Sequence, residues 1–123
     1  MALNYTVLLG RIVNGLEVKQ TTNGTACLQF TVAVDRGFKN ANGEYDTDFI
    51  TCVAWKERAE FINRYFSKGK LIAVEGQLRS RTYDDKNGVK HYVTEVFVDN
   101  ASFTGAKAQE QSSDFGGFGG YNG

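Results

Sequence analysis

Apolar and polar residues alternate along much of this chain, and one stretch of helical spacing interrupts that alternation. From Leu28 the period is two: Leu28, Phe30, Val32 and Val34 fall on one side, and Gln29, Thr31 and Ala33 on the other, the pattern of a half-buried strand. Ahead of it, Tyr5-Thr6-Val7-Leu8-Leu9 reads as an apolar strand closed by Gly10-Arg11, and a short strand near Glu17 to Thr21 reaches a turn at Asn23-Gly24. Asp48 to Trp55 is a further strand. The spacing then becomes helical, with Ala59, Ile62, Tyr65 and Phe66 on one side of a helix from Glu57 to Phe66. Glu57 and Glu60 in its first turn and Arg64 and Lys68 near its end suit the helix dipole, and Gly69 offers a stop. Leu71 to Val74 resumes as a buried strand continuing through Gln77 to Tyr83, and Tyr92 to Val98 is the last strand.

With the first strand and its short continuation taken as one bent strand, the tally is five strands and one short helix between the third and fourth. That order predicts an all-β fold, a five-stranded Greek-key barrel of the OB type. Two segments project from it as β-arms of one design, basic residues followed by an aromatic and an Asn-Gly turn. The first is Arg36-Gly37-Phe38-Lys39-Asn40-Ala41-Asn42-Gly43-Glu44-Tyr45, and the second is Arg79-Ser80-Arg81-Thr82-Tyr83-Asp84-Asp85-Lys86-Asn87-Gly88. Asn-Gly accepts the positive φ angles of a tight hairpin. From Gly105 the residues become small and polar, ending in the low-complexity Gly116-Gly117-Phe118-Gly119-Gly120 stretch. The expectation is one folded domain over residues 1–104 and a disordered tail over 105–123.

Charge narrows the function. The 123 residues carry 14 Lys and Arg against 14 Asp and Glu, for no net charge. A protein that coats nucleic acid by bulk positive charge is excluded, and any polyanion-binding face must be a local stripe. No apolar run approaches the ~20 residues of a membrane span, so the expectation is a soluble cytoplasmic protein with no membrane partner. Cys27 and Cys52 stand without the spacing of a zinc site and read as reduced, buried thiols, and no cofactor or metal is expected. His91 is the single histidine, no Ser or Cys has a nearby His, and phosphate-loop and HExxH patterns are missing. Glu44, Asp46, Asp48, Asp84 and Asp85 could hold a divalent ion, but acids in hairpin arms more often form turns.

Cations and aromatics alternating along strands are what a surface needs to hold single-stranded nucleic acid, the cations following phosphates and the rings stacking on bases. On the fourth strand Gln77, Arg79, Arg81 and Tyr83 share a face, against a plain reading as a solvated barrel exterior. On the third, Phe49 and Trp55 share a face, and core packing competes with exposure for both. The opposite face is already apolar with Ile50, Cys52 and Ala54. Phe38, beside Lys39 at the base of an arm, has little core to join.

Taken in order, these motifs resemble the single-stranded DNA-binding proteins of bacteria and their phages. The resemblance runs from residue 3 to about 104. It is carried by Val7-Leu8-Leu9-Gly10-Arg11-Ile12, the Asn23-Gly24 turn before Phe30-Thr31-Val32-Ala33-Val34, and Asp48-Phe49-Ile50-Thr51-Cys52-Val53-Ala54-Trp55. Lys68-Gly69, Val74-Glu75-Gly76-Gln77-Leu78-Arg79-Ser80-Arg81-Thr82-Tyr83 and Tyr92-Val93-Thr94-Glu95-Val96 complete it. The resemblance implies an OB barrel that assembles as a homotetramer and wraps single strands with little sequence preference in replication, recombination or repair. It places stacking rings at Phe38, Phe49, Trp55 and Tyr83. Arg36, Lys39, Lys56, Arg79 and Arg81 are then the phosphate partners, with no enzymatic role. The first strand, Leu3 to Leu9, is the expected dimer edge. The family's acidic, Phe-terminated tip is missing here: the chain finishes Gly119-Gly120-Tyr121-Asn122-Gly123, so replication or recombination proteins would be recruited weakly. The rival readings are an OB-fold adaptor whose aromatic face binds protein, and a phosphodiester enzyme using the acidic arm residues.

Overall fold

The computed structural model describes residues 2–104; the expected tail over 105–123 lies outside the described residues. The elements are β1 (Thr6–Ile12), β2 (Lys19–Gln20), β3 (Ala26–Lys39), β4 (Tyr45–Trp55), α1 (Glu57–Tyr65), β5 (Leu71–Asp84) and β6 (Lys90–Ser102). Strands pair in the order β1-β5-β6-β4-β3-β2, and a further pairing of β1 with β3 closes the sheet into a five-stranded OB-type barrel with β2 outside it. All pairings are antiparallel except β4 with β6, joined in parallel at Cys52–Val96 and Val53–Phe97.

The period-two pattern of β3 becomes burial directly. Ala26, Leu28, Phe30 and Val32 point inward and are buried, and they meet Cys52, Ala54, Ile72, Val74, Val96 and Val98 from the facing strands. Each large side chain removed from water here contributes about 1.5–3 kcal/mol before ordering entropy is set against it. Helix α1 packs on β3, β4 and β6, and plugs the barrel with Ala59 and Ile62, both fully buried.

Several expectations need correction. The first strand is not closed at Gly10-Arg11 but continues to Ile12, because its end is what reaches β3, at Arg11–Ala33 and Ile12–Val32. The helix ends at Tyr65, and Phe66 turns extended there (φ −124°, ψ 162°), its N–H donating to the Ile62 carbonyl at 2.9 Å. Gly69 serves instead in the following turn, at φ 94°. Tyr65 does not join the buried side of α1 but stays largely exposed in an aromatic cluster with Phe61 and Phe103. In the arms only the glycines, Gly43 and Gly88, take positive φ; Asn42 and Asn87 do not. The tight two-residue hairpin is replaced by a longer turn set by an Asx side chain one turn earlier.

That turn is built twice with the same bonds. The Asn40 N–H donates to the Glu44 carbonyl and the Gly43 N–H to the Asn40 carbonyl, while Asn40 Oδ1 accepts from the N–H groups of Asn42 and Glu44. In the second arm Asp85, Val89, Gly88 and Asn87 repeat these roles. Asp85 also bonds His91 Nε2 at 2.8 Å, and this contact, with the two backbone N–H groups, holds its carboxyl below the usual carboxylate range.

Barrel curvature requires two close backbone approaches. A Cβ at Gly10 would lie 2.7 Å from the Ala33 carbonyl oxygen, and one at Gly76 would lie 2.0 Å from that of Phe97. Gly76 stands where the β5–β6 register shifts, after Glu75. Backbone cannot yield as a side chain can, so Gly76→Ala is expected to destabilise the fold by at least ~1–3 kcal/mol, the range for overpacking. Thermal unfolding against Gly15→Ala, where nothing lies within 4 Å of the added carbon, checks this; equal midpoints would contradict it.

Candidate functional site

Because β-strand side chains alternate faces, a barrel whose inner wall is apolar carries an outer wall made from the other half of each strand. On β4 that half is Phe49, Thr51, Val53 and Trp55; on β5 it is Gln77, Arg79, Arg81 and Tyr83; on β6 it is Val93, Glu95 and Phe97. The structure brings Trp55, Lys56, Arg79 and Arg81 together around one open cavity of about 730 Å³, shared with Arg58, Glu95 and Phe97. Competition between core and surface for the β4 rings resolves toward the surface: Phe49 is 68% exposed, and Trp55 is half-buried at the cavity wall.

The arms hold the remaining rings. Phe38 is 77% exposed near the base of the first arm, and Lys39 sits over the Tyr45 ring at 5.9 Å. Tyr83, 47% exposed, lies flat against His91 with ring centroids 4.9 Å apart and planes 14° from parallel. One face of Tyr83 is thus taken by His91, and Arg81 approaches the ring at 5.8 Å.

The cations differ in how free they are. Arg36 is spent on Asp48, with its Nε and one terminal nitrogen reaching the carboxylate at 3.0–3.3 Å. That guanidinium holds the Asp48 carboxyl below its ordinary range. Arg81 gives only its Nε, at 2.9 Å, to Glu95 Oε1, which leaves its two terminal nitrogens pointing elsewhere. Arg79 has its guanidinium carbon 3.9 Å from the centre of the Phe97 ring. Lys56 is the N-cap of α1 and, among the described residues, the one non-glycine at positive φ (57°, ψ −128°). An L-residue pays strain there, and such outliers cluster where a side chain must be presented at a fixed place. Its N–H is held by the Ala26 carbonyl at 2.9 Å.

Three of the five acidic arm residues, Asp46, Asp48 and Asp85, are occupied. Asp46 accepts from Asn40 Nδ2 at 3.0 Å, Asp48 holds Arg36, and Asp85 forms its turn. Among the described residues no three His, Cys, Asp or Glu are placed to share a metal ion, and no helix is long and apolar enough to cross a membrane. Both cysteines are free. Burial pushes the Cys52 thiol up to about 12 and, with Glu95 nearby, raises that of Cys27, so neither is a ready thiolate. Cys27 is only half-buried, contrary to expectation, because it lies on the outer half of β3 opposite Trp55.

Sequence reasoning missed Arg58, Glu95 and Phe97. Phe97 falls in the apolar run Val96-Phe97-Val98, which hides its alternation; Val96 and Val98 face in, and Phe97 faces the cavity. The parity of Val93, Glu95 and Phe97 was the available signal. Arg58, on the helix, bonds the Asp99 carbonyl through Nε, a contact that no strand pattern announces.

Residues 3–104 match the model of the family described as the single-strand binding protein family. A single-stranded DNA-binding protein of Lactiplantibacillus plantarum is 40% identical over 109 residues, covering 89% of this chain and 54% of the relative. One from Staphylococcus aureus strain N315 is 45% identical over 101 residues, covering 82% of this chain and 65% of the relative. One from Halalkalibacterium halodurans is 41% identical over 120 residues, covering 94% of this chain and 71% of the relative. The chain thus spans between about half and three quarters of the length of the relatives it matches.

Proposed function

This chain belongs to the single-strand binding protein family, and we propose that its outer barrel wall binds single-stranded DNA without a base code, protecting it during replication, recombination and repair. The observation that carries the reading is the convergence of Trp55, Lys56, Arg79 and Arg81 on one open cavity. Phe49 and Tyr83 continue the same strand faces, and Phe38 and Lys39 extend the surface onto the first arm. Rings stack on bases, and the guanidinium and ammonium groups neutralise phosphates and release counterions. Arg36 is the weakest of the phosphate partners, because it must leave Asp48 to take part. The work in this proposal is binding, not turnover: Asp46, Asp48 and Asp85, three of the acids that a phosphodiester mechanism would draw on, are held in turns and ion pairs.

The whole active unit is a homotetramer in this proposal, built from dimers joined through the first strand. β1 pairs with β5 along Thr6–Arg11 but meets β3 only at Arg11 and Ile12. Among the described residues the other edge of its first half therefore carries no strand partner, and Leu3, Tyr5, Val7 and Leu9 are exposed there. An unpaired apolar edge invites antiparallel pairing with its own copy about a two-fold axis.

The adaptor reading is distinguished by salt, since a protein-binding face has no reason to lose affinity for DNA steeply as salt rises.

Trp55 emission is expected to fall on addition of poly-dT, and Trp55→Ala to weaken binding by about 1–3 kcal/mol, the range for one stacked base. Indifference of both would remove Trp55 from the site. Arg81→Ala is expected to weaken binding about equally for different sequences and to flatten the plot of log K against log salt by roughly 0.7 on a single strand; an unchanged slope contradicts a phosphate contact. Light scattering at micromolar concentration is expected to report a tetramer, and a charge placed on the edge by Val7→Lys is expected to break it down. A monomeric parent protein would end the assembly proposal.

A further inference from the structure

Glu95 and Phe97 are neighbours on the outer half of β6, and both face Arg79 across the β5–β6 ladder. Arg79 stands directly opposite Glu95 in the register, and Phe97 lies opposite Gln77, one pair along the same face. The Arg79 guanidinium is laid over the Phe97 ring at 3.9 Å, a stacked distance. The other three cation–ring pairs among the described residues are looser, at 5.8–5.9 Å. Meanwhile Glu95 is buried in the cavity wall, one oxygen on Arg81 Nε at 2.9 Å. Its other oxygen, Oε2, is the one buried side-chain polar atom among the described residues with no hydrogen-bond partner.

A buried carboxylate oxygen left unpartnered is costly, and Arg79, directly opposite Glu95 in the register, lies over an aromatic face instead. One guanidinium therefore has two seats of opposite character within reach of one side chain. Moving it from the ring to the carboxylate exchanges a cation–π contact for a charge-assisted hydrogen bond, and it uncovers a flat aromatic face inside the same cavity as Trp55.

We propose that Phe97 is a fifth base-stacking ring, covered by Arg79 in the free protein, and that Arg79 gives up the ring to an incoming base by moving onto Glu95 Oε2. Glu95 then holds both arginines, Arg81 through one oxygen and Arg79 through the other, and their remaining N–H groups face the phosphates of the strand whose base has taken the ring. Glu95 is a positioning residue in this arrangement, and a carboxylate within a polyanion-binding wall acquires a reason to be there. The stacked ligand is a nucleobase of any kind, because ring stacking reads no base edge. The inference rests on the reading that this wall carries single-stranded DNA, and the test separates the two.

Phe97→Leu keeps an apolar residue at a half-buried position and removes the ring. Titrated with an oligo-dT while Trp55 emission is followed, this variant is expected to bind roughly tenfold more weakly, within the range for one lost stacked base, and to keep full quenching of Trp55. Unchanged affinity with quenching intact overturns the fifth ring and leaves the wider reading standing. Absence of quenching in the parent protein overturns both. Should Phe97→Leu fail to fold, the unmodified protein answers alone through photocrosslinking to an oligonucleotide containing 5-iodouracil. An adduct on Phe97 supports the inference, and adducts confined to Phe38, Phe49, Trp55 and Tyr83 overturn it. The movement of Arg79 has its own signature: its Nε–H resonance is expected upfield under the Phe97 ring current in the free protein and to move downfield when dT is added. A resonance that stays upfield at saturation rules out the exchange.

Discussion

At Gly76 the backbone of β5 passes so near β6 that a methyl group would fall 2.0 Å from the Phe97 carbonyl oxygen, and at Gly10 β1 approaches Ala33 almost as closely. These contacts let a sheet of long strands bend until β1 meets β3 and the barrel closes. Closure fixes which half of every strand is core and which half is wall. A shift of one residue in any strand would exchange the two sets. The positions of Trp55, Arg79, Arg81 and Phe97 around one cavity are therefore a consequence of closure at two glycines, and the chemistry of the wall is inherited from the geometry of the core.

In the proposed function the wall attracts a polyanion without net positive charge by sorting its cations. Arg36 is neutralised by Asp48 on the arm, whereas Arg81 shares its partner only through Nε and Arg79 is held by a ring and not by an acid. At physiological salt the screening length is about 8 Å, so a local stripe of guanidinium groups with N–H groups to spare can act on a strand lying against it even when the whole chain is neutral. In the same reading the rings supply what the charges cannot, a contact that a duplex, with its bases already stacked, is unable to offer.

Much of this was legible from the residues. Strict alternation in β3, the switch to helical spacing at Glu57 and the return to strand at Leu71 set out the barrel and its plug. The parity of Arg79, Arg81 and Tyr83 marked the wall. Three things were hidden for identifiable reasons. The end of β1 looked like a turn because Gly10 is read as a breaker, when its lack of a side chain is what allows the strand to run on against Ala33. Asn42 and Asn87 looked like positive-φ residues, but Asn40 and Asp85 accept the turn N–H groups and leave only glycine in the left-handed region. Phe97 drew no reading because it is flanked by two valines, Val96 and Val98, that are core and hide its alternation. Each miss arose where a contact distant in sequence, or a side chain acting as backbone, overrode a local rule.

The central claim is that the outer wall of β4, β5 and β6, and not the aromatic cluster of Phe61, Tyr65, Phe66 and Phe103 around α1, is where a single strand lies. Chemical-shift mapping of the full chain during titration with an unstructured dT oligonucleotide at low salt tests it most directly. The account predicts that the largest changes fall on Thr51, Val53, Trp55, Arg79, Arg81 and Tyr83, while Ala59, Ile62 and Phe103 stay nearly still. Changes centred on α1 and Phe103, with the wall silent, would contradict it.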